Sequence, residues 1–91
     1  MQHLTDRDLL ALVAMRQLHA LEVIYDRHIK LVWKLALISC GDAAAAERAV
    51  SGTFLELWRR PQPDATKRLV TRLLSGVRGR CAGRLEEQPA S

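Results

Sequence analysis

The 91-residue chain has little of what most enzymes and metalloproteins are built from. It carries two cysteines, Cys40 and Cys81, in neither a CxxC nor a Cys/His cluster. A zinc site of the usual ligand spacing is therefore not read. Each cysteine falls in an apolar helical stretch, where a free thiol behaves as a small hydrophobe. The expectation is two unpaired cysteines in a reducing, cytoplasmic setting. His3, His19 and His28 are scattered, with no pair at the i, i+3 or i, i+4 spacing of a metal site. His28 sits on an apolar helical face and reads as a core histidine with a satisfied hydrogen bond. Ser39, Ser51 and Ser75 have no neighbouring base, and no nucleophile-elbow motif is present. Gly76-Val77-Arg78-Gly79 follows no strand, which sets aside a phosphate loop. No cofactor and no enzymatic activity are expected.

Aromatic residues are few: Tyr25, Trp33, Phe54 and Trp58. No apolar run approaches the ~20 residues of a membrane span, and Thr5-Asp6-Arg7-Asp8 interrupts any leader-like run near the start. Acid is missing from one region altogether. Residues 65–85 hold Lys67, Arg68, Arg72, Arg78, Arg80 and Arg84 and no Asp or Glu. The first 60 residues are nearly balanced, so a net charge of +4 conceals a concentrated basic stretch. Such a stretch suits a polyanionic partner, although a solvated helix face looks the same.

What is present reads as helix. Nearly half the residues are hydrophobic, and Leu, Ala and Arg dominate. Thr5 followed by Asp8 suggests a capping box that opens a helix over 5–15. Arg16-Gln17 is a break with no Gly or Pro to mark it. A second helix spans 18–40, with Leu18, Leu21, Tyr25, His28, Val32, Leu35 and Ile38 at three- and four-residue steps. Cys40-Gly41-Asp42 then reads as a tight corner, Gly41 capping one helix and Asp42 opening the next. The third helix covers 43–60, with Ala46, Val50, Phe54, Leu57 and Trp58 on one side, and Pro61 and Pro63 end it. A fourth runs over about 65–85, with Asp64 as N-cap and an apolar face of Val70, Leu73, Val77, Cys81 and Leu85. Its glycines, Gly76, Gly79 and Gly83, each cost about 1 kcal/mol relative to Ala. Either that helix is soft or something approaches its backbone closely. The expected architecture is a single all-α domain over 1–85, a three- to four-helix bundle, with a disordered tail over 86–91.

Two stretches in series carry a family resemblance. One is Leu21-Glu22-Val23-Ile24-Tyr25-Asp26-Arg27-His28. The other is Leu35-Ala36-Leu37-Ile38-Ser39-Cys40-Gly41-Asp42, running on through Ala46-Glu47-Arg48-Ala49-Val50 to Phe54-Leu55-Glu56-Leu57-Trp58. Together they resemble region 2 of bacterial extracytoplasmic-function (ECF) sigma factors, without the C-terminal −35-binding domain of a complete sigma factor. The resemblance implies a bundle that binds core RNA polymerase and opens −10 promoter DNA. It also implies a flipped-base pocket near the loop Pro61 to Asp64. On that reading Lys67, Arg68, Arg72, Arg78, Arg80 and Arg84 grip DNA phosphates, and the face around Arg48, Ser51, Gly52 and Leu55 meets a protein partner. The sequence departs from the family pattern on that face. The family has an acid at the position of Arg48, Gln at Ser51 and an acid at Gly52. These changes argue against the usual polymerase contact. They support a second reading, a divergent interaction module that binds an anti-sigma-type regulator or itself.

Overall fold

The computed structural model describes residues 3–86, and side chains as far as Ala82. It is all-α, with no strand among the described residues. Four helices follow one another: α1 Asp6–Ala14, α2 Leu18–Cys40, α3 Ala43–Arg59 and α4 Leu69–Glu86. The tail beyond Glu86 lies outside the described residues.

Helix α1 begins on the expected capping box. The Asp8 amide donates to Thr5 Oγ1 at 3.1 Å, and the Thr5 amide donates to Asp8 Oδ2 at 3.1 Å. The break after α1 is made by Arg16, whose φ of 63° is left-handed without being glycine. The side chain explains the choice. Its guanidinium lies 4.9 Å from the centre of the Trp58 ring and donates to the Trp58 carbonyl. Glycine would ease the backbone and lose both contacts. His28 is largely buried, with Nε2 2.9 Å from Asp6 Oδ2, as a satisfied core histidine should be. The same carboxylate receives Arg27 at 3.0 Å, which pins the start of α1 to the middle of α2.

The buried row of α2 differs from the expected one. Ala20, Ile24, Val32, Ala36 and Cys40 are buried at four-residue steps, with His28 filling the gap. Leu18, Tyr25 and Ile38 are exposed, Ile38 by 71%. Two apolar rows compete on this helix, and the one richer in small residues faces the bundle because Ala and Cys let neighbouring helices come close. Tyr25 still rests on Phe54, ring centres 5.0 Å apart. The corner to α3 is as read: Gly41 is left-handed at φ 73°, and the Asp42 side chain accepts from the Ala44 amide at 3.1 Å.

Helix α4 starts at Leu69, four residues later than expected, and Asp64 does not cap it. Residues 65–68 offer nothing large and apolar to bury; Leu69 is the first that does. Pro61 and Pro63, with Gln62 at φ 48°, hold the preceding linker out of helix. Leu69, Leu73, Val77 and Cys81 then form the buried row, while Val70 is half-buried. The side chain of Leu85 lies outside the described residues.

The expectation of two free cysteines is overturned. Cys40 and Cys81 form a disulfide, with Cα atoms 5.0 Å apart across 41 residues of chain. Each thiol was placed correctly on an apolar face. What local reading could not supply is that these two faces meet, the last residue of α2 against the last buried one among the described side chains of α4. In the chain-entropy account a link of this span stabilises by ~4 kcal/mol.

Candidate functional site

The expected phosphate-binding cations lie on the linker after α3 and on α4. Lys67 and Arg68 stand exposed at the end of the linker. They line a shallow cavity of about 470 Å³ shared with Thr5, Asp6 and Arg7. Arg7 Nε donates to the Pro63 carbonyl at 3.2 Å, so the linker is tied to α1. A second groove, about 260 Å³, runs between α3 and α4 past Glu56, Arg60, Gln62, Arg72 and Arg80. Three guanidinium groups face one carboxylate there, which makes the groove electropositive.

These arginines are not equivalent. Arg72 turns back on the linker. Its Nη1 donates to the Pro61 carbonyl at 2.8 Å, and its Nη2 to the Arg60 carbonyl at 3.2 Å. A longer approach of 3.5 Å reaches the carbonyl of Gln62. Desolvation by burial holds its pKa below the usual arginine value. Arg72 therefore shapes the loop, and both of its Nη atoms are already committed. Arg78 is exposed. Arg80 is exposed and crosses to α3, donating to its own helix at the Gly76 carbonyl over 3.3 Å. The side chain of Arg84 lies outside the described residues.

The glycines show how the helices meet. A Cβ on Gly76 would sit 3.0 Å from Thr53 Cγ2, so this is the close approach that the glycine count suggested. Thr53 is buried on α3, and its hydroxyl donates to the Ala49 carbonyl at 2.8 Å. A Cβ on Gly52 would fall 2.6 Å from Arg80 Nε, whereas Gly79 faces open space.

The second expected surface is a stripe on α3. Arg48, Ser51 and Leu55 recur at three- and four-residue steps, and all are exposed, Leu55 by 48%. Gly52 belongs to the same turn but is partly covered by Arg80. The cationic set and the partner stripe therefore adjoin at Gly52. Arg60 was missed as a groove residue. In sequence it only closes the dipole of α3, and nothing local indicates that it lines a groove with α4. Among the described residues no three His, Cys, Asp or Glu side chains gather as a metal site. No described helix is long and apolar enough to cross a membrane.

No family model matches the chain, and no solved structure does. A curated relative is the ECF RNA polymerase sigma factor SigL of Mycobacterium tuberculosis, found with the same figures in three strains. It is 40% identical over 42 residues, which are 46% of this chain. The chain is thus similar in part to an ECF sigma factor, and the matched stretch spans 24% of that relative's length.

Proposed function

We propose that this chain is a sigma-factor-like domain in bacterial transcription initiation, acting in the cytoplasm and binding core RNA polymerase and −10 promoter DNA. The observation that carries this reading is the 40% identity over 42 residues to an ECF sigma factor. The placement of the cations supports it. Lys67, Arg68, Arg78 and Arg80 are exposed on the linker and α4, and residues 65–85 contain no acid. Such a surface grips phosphates through charge, with affinity that falls as salt displaces it. Arg72 is committed to the linker carbonyls and stands apart from the phosphate contacts.

One observation favours a second reading. The exposed α3 stripe presents Arg48, Ser51 and Leu55 where an acidic polymerase-binding face would be expected from the resemblance. A domain altered in this way serves as a divergent interaction module for an anti-sigma-type regulator or a second copy of itself. Fluorescence anisotropy with labelled promoter DNA, with and without core polymerase, separates the two. The first reading expects salt-dependent binding. Its absence in both conditions, with the domain folded by circular dichroism, rejects it.

A further inference from the structure

Over residues 78–82, the last of α4 whose side chains are described, one side chain is buried against the bundle. Arg78, Gly79, Arg80 and Ala82 are all exposed, and between them only Cys81 is buried, at 1% exposure. Its partner Cys40 is the final residue of α2. Helical propensity gives this segment little support, because Gly79 stands in the helix with nothing beside it. On α3 the facing position is Gly52, which offers no side chain of its own, and the Arg80 side chain lies over it. Across residues 78–82 the segment is therefore held at Cys81, the residue that carries the covalent bond. That same segment carries Arg78 and Arg80.

We propose that the Cys40–Cys81 bond is a thiol-responsive latch that keeps the last turns of α4 on the bundle, and that its reduction frees them and weakens the grip on nucleic acid. The effect on binding rests on the function proposed above; the release of α4 does not. The reductant is a thiol or dithiol. Its thiolate attacks one sulfur of the bond and forms a mixed disulfide, and the other cysteine leaves as a thiolate that takes up a proton. A second thiol of the reductant resolves the mixed disulfide. Two protein thiols result, and the reductant is oxidised to its own disulfide. Cys40, at 8% exposure, is the more accessible end. Attack there releases Cys81 and with it α4.

Hydrogen exchange on the full chain, oxidised and after dithiothreitol, tests the latch. Amides from Arg78 to Ala82 are expected to lose protection by about tenfold or more relative to those of residues 69–77. A Cys40→Ala/Cys81→Val variant, which keeps an apolar contact without the bond, should show the same loss and ignore dithiothreitol. Retained protection over Arg78–Ala82 in reduced protein or in this variant overturns the proposal. Anisotropy with a short labelled DNA duplex reads the consequence. Reduction should lower the salt slope by about two, near 0.9 for each phosphate contact of Arg78 and Arg80. An unchanged slope despite a loosened helix refutes the coupling to binding. Loosening with no DNA binding in either state supports the latch and rejects the nucleic-acid reading instead.

Discussion

Replacing Arg72 by Met should damage the fold while leaving the DNA contact surface nearly as it was. The guanidinium makes two good charge-assisted bonds, 2.8 Å to Pro61 and 3.2 Å to Arg60, and one long approach to Gln62. Hydrogen bonds to charged groups contribute about 1.5–3 kcal/mol net apiece. The two good bonds share one partly buried cation, whose dehydration offsets part of that gain. The net loss is about 2 kcal/mol. Met keeps the apolar stem but strands the carbonyl of buried Pro61. With a urea slope of about 1–2 kcal/mol per M for a chain this small, the midpoint should fall by about 1–2 M. Arg72→Lys should recover less than half, because an ammonium cannot span both carbonyls. In anisotropy, folded R72M should keep the salt slope of the parent. A midpoint shift under about 0.3 M, or a slope reduced by about one, would refute the assignment of Arg72 to the loop and return it to the phosphate contacts.

Other perturbations separate neighbouring roles. Gly79→Ala should stabilise by about 0.8 kcal/mol, since it gains helix propensity into open space. Gly76→Val should cost about 1–3 kcal/mol through overpacking against Thr53; thermal melts of the pair check both signs. Asp6→Ala removes the shared partner of Arg27 and His28 and should lower stability by about 1–2 kcal/mol in urea titration, the partial exposure of these groups keeping the figure small. Arg48→Glu returns a negative charge to the α3 stripe and should raise retention of core RNA polymerase by roughly tenfold at low salt.

Local signals were read well from sequence. The Thr5/Asp8 capping box, the Gly41–Asp42 corner and the proline stop after α3 each depend on residues within one turn of each other. His28 was legible for a similar reason, since a histidine on an apolar face needs a partner, although the partner Asp6 was not identifiable. The features that escaped are relations between helices. Which apolar row of α2 faces inward depends on where α3 and α4 lie. Helix α4 starts at Leu69 because that is where burial begins, which composition alone does not mark. The Cys40–Cys81 bond needs two distant rows to meet end to end. The same holds at the surface. Six cations stand together in sequence, and the structure divides the five whose side chains it describes: Arg72 inward on the linker carbonyls, Arg80 across Gly52, and Lys67, Arg68 and Arg78 to solvent.

Retention of purified bacterial core RNA polymerase on the tagged protein, at low and moderate salt, tests the proposed sigma-like role. A sigma-like domain should retain polymerase at low salt and release it as salt rises, through a stripe of Arg48, Ser51 and Leu55 that is altered but still docks. No retention at either salt, from protein shown to be folded by circular dichroism, would contradict it and leave the fold in the service of another partner.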